Sequence, residues 1–310
     1  MKLFDLHCDT ATCLLSEKQG LYKNSFHISI SKAQYLKNYA QVMAVWSHNK
    51  LTDAEAYERF FEVVKNLENE ISNYSSFVGL AKDSTDMELL LCQEKYPLIL
   101  AVEDARILEN DITRLDILYN YGVRVLTLNW CGTTCIGGAH DTSIGLTDFG
   151  TQVVKKSFDL GIIPDISHSS FLGAEMVLDL AEQYEKPIIA SHSDSYYVNQ
   201  HTRNLRDVDF LKIMRLNGLV GINLCPSHLT HNNLANIKDI MLHIEHYLSL
   251  GGMNCLAMGA DLDGTDLPND FNDVSDIFKI VEEMQRINYS DDLINKIVFD
   301  NAHNFFVKNI

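Results

Sequence analysis

The chain has 310 residues, 46 % of them hydrophobic, enough to bury a substantial core as one large unit. Its 25 basic and 42 acidic residues give a net charge of −17, which argues against a nucleic acid or an anionic membrane surface as partner. Only five prolines are present, and no Gly/Ser-rich linker or low-complexity tract marks a boundary, so residues 1–310 are expected to form a single domain.

The first apolar run, Leu3, Phe4 and Leu6, reads as a strand that leads into His7-Cys8-Asp9. Alternation along a strand points His7 and Asp9 the same way, and an imidazole nitrogen beside a carboxylate oxygen is a donor pair suited to zinc or a similar divalent ion. Cys8 then faces the other side and packs in the core. Residues from Thr10 to Tyr39 are irregular and are expected as a loop with a short helix over the mouth of the fold. Strands are predicted at Gln41 to Trp46, Tyr96 to Glu103, Val123 to Asn129, Ile162 to His168, Pro187 to His192, Leu219 to Leu224 and Cys255 to Asp261. Helical periodicity runs through Ala54 to Ile71, Phe149 to Leu160, Phe171 to Tyr184, Val208 to Asn217, Ile237 to Leu250 and Val274 to Ile287.

Eight strands alternating with helices over this length match a (β/α)8 TIM barrel, in which chemistry gathers at the C-terminal ends of the strands. An open doubly wound sheet is the alternative, but no Gly-x-Gly-x-x-Gly follows an early strand to support it. Five of the eight runs end on a potential metal ligand: His7 with Asp9, Glu103, His168, His192 and Asp261. His243 and His246 share a helix face that is expected to be solvated, whereas His48, His140, His201 and His228 fall in loops at the mouth, with His140 and His201 able to reach a substrate. The seven cysteines form no Cys-x-x-Cys pair, which argues against a thiolate zinc site and for reduced thiols. No apolar run approaches the roughly 20 residues of a membrane span and no basic leader precedes the first strand, so the expected location is cytoplasmic.

The segments DLHCDT, AVEDA, GVRVLTLNW, GLTDFG, GIIPDISHSS, KPIIASHS, RNL and MGADLDGTD, in this order from about Leu3 to Phe306, resemble the membrane (renal) dipeptidase family, peptidase family M19, in its bacterial branch. The resemblance implies a TIM barrel of the metal-dependent amidohydrolase type that holds two divalent ions, most commonly zinc. It implies hydrolysis of dipeptides, L,L and also L,D, by water activated between the two ions. Carried over residue by residue, it puts His7 and Asp9 on one ion, His168 and His192 on the other, and Glu103 between them. Many amidohydrolases bridge their ions with a carboxylated lysine, but Val123 to Asn129 contains none. Asp261 matches the aspartate that takes a proton from the attacking water and passes it to the leaving amine. Its neighbour Asp263 is expected in the turn with Gly264, ordering that turn. Arg203 matches the anchor for the substrate's terminal carboxylate, and Trp130, which ends the fourth strand, is expected to contact substrate.

The chain departs from the family pattern in two places. Animal members carry a histidine at the position of Trp130, and bacterial relatives often follow the tryptophan with Asn where Cys131 stands here, which throws oxyanion stabilisation onto the metals. Asp104 and Ala105 replace glycines that commonly follow Glu103, so the pocket loop differs. The expected partner is a small dipeptide, with a homodimer as the assembly the family suggests. The competing expectations are another metal-dependent amide hydrolase, for an N-acyl amino acid or a cyclic amide, and a metal-binding protein without turnover.

Overall fold

The computed structural model describes all 310 residues, in which nine parallel strands form one sheet. They are β1 (Lys2–Cys8), β2 (Asn38–Trp46), β3 (Val78–Leu80), β4 (Tyr96–Glu103), β5 (Val123–Thr127), β6 (Ile163–Asp165), β7 (Ile189–Ala190), β8 (Leu219–Ile222) and β9 (Leu256–Met258). The ladder runs β2-β1-β9-β8-β7-β6-β5-β4 and closes by pairing β2 with β4, from Gln41 opposite Leu98 to Trp46 opposite Glu103. Eight strands therefore make a closed barrel, and β3 pairs only with the start of β4, from Val78 opposite Tyr96 to Leu80 opposite Leu98. This short ninth strand was not among the expected elements, because three residues carry no legible periodicity.

The helices cover the barrel on its outside. In Asp148–Leu160 the buried face is Val153, Val154 and Phe158, and the side chain of Thr147 caps the start by accepting from the Gly150 N–H. Ser170 caps Phe171–Tyr184 in the same way through Gly173, and Thr52 with Glu55 forms a capping box at the start of Asp53–Asn73. The expected helix Val274 to Ile287 is instead a 3-10 turn, Val274–Asp276, followed by a helix at Ile277–Arg286. The last helix, Asn301–Asn309, lays Phe306 on Phe4 of β1 with ring centroids 5.0 Å apart. A continuous cluster of 85 buried hydrophobic residues runs through the barrel and its helices.

Five barrel strands stop short of the ends expected from their apolar runs, β5 at Thr127 and β8 at Ile222 among them. The ladder leaves β6 at Asp165, β7 at Ala190 and β9 at Met258, and the residues beyond them curl over the barrel mouth. His168 and Asp261 take positive φ values of 71° and 57°, a conformation that ends strand pairing and turns each side chain inward. Backbones approach closely at this level. A Cβ on Gly221 or Gly259 would sit 1.9 Å or 1.8 Å from the carbonyl oxygen of Ser191, so only glycine lets β8 and the end of β9 close around the β7 loop.

Candidate metal centre and active site

The five expected metal ligands and Asp261 converge at the C-terminal end of the barrel. Glu103, 3 % exposed, ends β4 and directs its two carboxylate oxygens to different partners. Oε2 lies 3.4 Å from His7 Nε2, whereas Oε1 lies 2.9 Å from His168 Nε2 and 3.7 Å from His192 Nε2. The two latter nitrogens are 3.0 Å apart, and the His7 and His192 rings stack with centroids 3.8 Å apart. Asp261 brings Oδ1 to 3.9 Å from His7 Nε2. His7, Asp9 and Asp261 bring one ligand atom each to within 4.8 Å of one another, as do His7, Glu103 and His192.

Hydrogen bonds around these side chains fix which ring nitrogens carry protons. His168 Nδ1 faces the carbonyl oxygen of Trp130 at 3.1 Å, and a carbonyl can only accept, so Nδ1 holds the proton. His192 Nδ1 sits 2.7 Å from Ser191 Oγ, which donates its own proton to Asp165 Oδ2 at 2.6 Å and so accepts from the imidazole. Both Nε2 atoms therefore present lone pairs to each other at 3.0 Å and to Glu103 Oε1 at 2.9 Å and 3.7 Å, an arrangement that is repulsive without a cation between them. His7 Nε2 and Asp9 Oδ1 are buried with no hydrogen-bond partner at all. Gly264 completes the cradle: a Cβ there would meet Asp261 Oδ1 at 2.3 Å and Asp9 Oδ2 at 2.4 Å. Orphaned nitrogen and oxygen donors over a bare glycine fit divalent cations.

The electrostatics point the same way. Burial, reinforced by Glu103, pushes the Asp9 carboxyl well above the usual carboxylate range, and burial raises Asp261 to about 6. For His7, burial opposes the charge, yet Glu103 first and then Asp9 and Asp261 raise it to about 10. Burial and then the positive charge of Arg203 hold His168 down to about 4. Three carboxyl groups buried so close together thus favour positive charge at this point.

Residues beneath the site hold it in place, and several of them escaped the sequence reading. Asp5, fully buried, accepts from His7 N at 3.0 Å, Gln41 Nε2 at 3.0 Å and Ala260 N at 2.9 Å, joining β1 to β2 and to the residues after β9. Asp165 accepts from Ser167 N, Ser191 N, Thr127 Oγ1 and Ser191 Oγ, and so orients the loops that carry His168 and His192. Asn223 donates to Asp261 Oδ2 at 3.2 Å. The available signal was a polar residue inside an apolar run, as in Ile162-Ile163-Pro164-Asp165-Ile166, since a buried carboxylate needs several donors.

Arg203 is 4 % exposed, with Nη1 3.4 Å from Ser193 Oγ and Nη2 3.3 Å from the His192 carbonyl oxygen, while its buried Nε has no partner. The Trp130 ring packs edge-on against Trp46 at 5.0 Å, and the contact it makes within the site runs through its carbonyl to His168. Cys8 is buried, as expected, against Met43.

Three expectations need correction. His243 lies at no solvated face: it is fully buried, accepts from Ser195 N at 3.0 Å and donates through Nε2 to the Leu229 carbonyl at 3.1 Å. His246 pairs with Asp207 at 2.8 Å under the ring of Tyr197, while Leu242 takes the exposed position. Asp263 does not order its own turn but reaches across to the start of the helix Thr10–Glu17 and to the loop after it, accepting from Thr10 Oγ1 and His27 N at 2.5 Å each. Asp104, at φ 80°, and Arg106 form a buried ion pair of 3.2 Å, and Arg106 also binds the carbonyls of Ser47, His48 and Leu51, tying the β4 loop to the β2 loop.

A sequence profile of the membrane dipeptidase family, peptidase family M19, matches residues 1–308. Human dipeptidase 3 is 28 % identical over 232 residues, covering 72 % of this chain and 47 % of its own, so the chain spans about half the length of that curated relative. Among solved structures, a metallopeptidase from Rhodobacter sphaeroides bearing a phosphinate mimic of the dipeptide L-Ala-D-Ala superposes with a TM-score of 0.93 at 20 % identity, covering 100 % of this chain and 99 % of that one. The probable dipeptidase PvdM from Pseudomonas aeruginosa gives 0.89 at 19 % identity, with coverage of 100 % and 96 %. Likeness at such low identity shows the barrel fold; the profile, matched along nearly the full chain, shows the family. With a closed eight-stranded barrel, a buried cluster of three histidines and three carboxylates at its mouth, and that match, the chain belongs to the membrane dipeptidase family, peptidase family M19.

Proposed function

We propose that this protein is a metal-dependent dipeptidase that uses two divalent ions, zinc by the nature of its donors, to hydrolyse L,L and L,D dipeptides. The observation that carries the reading is the split of Glu103, one oxygen toward His7 and the other toward His168 and His192. Glu103 would bridge the pair, with His7 and Asp9 holding one ion and His168 and His192 the other. Such ions acidify water and polarise a carbonyl.

The chain's own residues supply the rest. Asp261 stands beside His7 with Oδ2 steadied by Asn223, which leaves Oδ1 to accept a proton from water and return it to the leaving amine. The buried guanidinium of Arg203, with an unused Nε, anchors the terminal carboxylate and fixes the peptide's direction. Trp130, half-buried at the rim beside His168, would pack on the substrate.

The test is hydrolysis of a panel of L-Ala-L-Xaa and L-Ala-D-Xaa peptides by the purified protein, with metal content measured on the same sample before and after chelation and zinc restoration. Cleavage that disappears with chelation and returns with about two ions per chain is expected. Two ions bound with no dipeptide cleaved would refute the reading.

A further inference from the structure

Arg203 is the centre of a second constellation that the hydrolytic step does not use. Three histidines that follow three different strands surround it: His140 after β5, His201 after β7 and His228, in the short helix Pro226–Leu229, after β8. Their rings form a continuous wall that starts at His168, with centroid separations of 6.0 Å from His168 to His140, 6.2 Å from His140 to His201 and 4.9 Å from His201 to His228. All three are half-buried, so each keeps an edge on the open side of the site while Arg203 lies beneath.

The hydrogen bonds specify what two of them present. His201 Nδ1 accepts from the backbone N–H of Arg203 at 3.2 Å, so its proton sits on Nε2. The side-chain amide of Asn223 faces His228 Nδ1 at 3.5 Å, which likewise leaves the proton on Nε2. Burial, and then the charge of Arg203, keeps both rings neutral. The wall therefore offers neutral N–H donors around one fixed cation.

Arg203 has capacity beyond a single carboxylate. A guanidinium carries five N–H donors, and here its side chain makes two long bonds, to Ser193 and to the His192 carbonyl, and leaves Nε unpaired. The terminal carboxylate of a dipeptide would take two donors. A second carboxylate nearby would find the remainder together with the imidazole N–H groups, whereas an ammonium would meet the like charge of Arg203.

We propose that His140, His201 and His228 form, with Arg203, the subsite for the side chain of the substrate's C-terminal residue, and that this subsite selects an acidic side chain, Asp or Glu. The inference rests on the dipeptidase reading above. It is tested on the zinc-loaded enzyme by kcat/KM for Ala-Glu, Ala-Gln, Ala-Lys and Ala-Ala, each with an L and a D second residue. Wild-type enzyme is expected to favour Ala-Glu over its uncharged isostere Ala-Gln by at least about tenfold, chiefly through KM, and to cleave Ala-Lys least well. In His201→Leu and His228→Leu the Glu-to-Gln ratio is expected to fall toward unity. A wild-type ratio near one, or a preference for Ala-Lys, overturns the subsite while leaving the dipeptidase standing. Failure to cleave any of the peptides, Ala-Ala included, overturns both.

Discussion

Asp261 and Glu103 are both buried carboxylates in contact with His7, yet their surroundings give them different work. Glu103 faces three histidines, whereas Asp261 has one amide donor and a proton affinity raised by burial, which suits a group that must take up and release a proton. Asp261→Asn is therefore expected to lower kcat by about 10²- to 10⁴-fold while metal content stays at the wild-type level. Loss of metal in that variant would make Asp261 a ligand instead. Ser191 acts through His192: its hydroxyl passes the orienting effect of Asp165 to Nδ1. Ser191→Ala should weaken metal affinity by roughly 10- to 100-fold, read by chelator competition, with rescue by Thr but not by Val. Arg203→Lys keeps the charge but loses the planar fork, so KM should rise more than kcat falls across a dipeptide series.

At the scale of elements, the short strands explain why chemistry collects where it does. Polar groups crowd the mouth because β6, β7, β8 and β9 leave the ladder early and their freed backbone is satisfied by Asp5, Asp165 and Asp194. Gly259→Ala would drive a Cβ into the Ser191 carbonyl, and a loss of several kcal/mol in urea unfolding is expected, since backbone on both sides cannot yield. The helix Ile237–Ser249 carries the buried His243, which joins it to Ser195 and Leu229 as a neutral imidazole held near 4 by burial. The unfolded chain would take up a proton at this residue near pH 6.5 while the folded chain would not, so the contribution is complete above that pH and is lost as pH falls toward 4. Between about pH 7 and pH 4.5, wild-type protein should lose about 2–3 kcal/mol more than His243→Gln in parallel urea titrations. Equal slopes for the two proteins would show that His243 accepts its proton without unfolding.

For the whole molecule, the excess of negative charge culminates in three buried carboxylates at one point of the barrel. Removing the metal should lower the melting temperature by several degrees as well as abolish activity, because cations bound only by the folded chain stabilise it by mass action. Calorimetry before and after chelation would show it, and an unchanged transition would mean that bound metal adds nothing to the stability of the fold. Much of this architecture was legible in advance. Seven residues that the sequence marked, His7, Asp9, Glu103, His168, His192, Arg203 and Asp261, do meet at one mouth, because in a parallel barrel every strand end is delivered to the same face. The short β3, the burial of His243 and the reach of Asp263 to Thr10 and His27 were not legible, since each depends on a partner far away in sequence. The sequence by itself determined the alternation of strands and helices and the residue types at the strand ends, which are local properties of periodicity and composition. The tertiary structure alone decided which nitrogen of each histidine is free, which oxygens lack a partner and which loops surround Arg203, because protonation and pairing are set by atoms that only the closed barrel brings within hydrogen-bond distance.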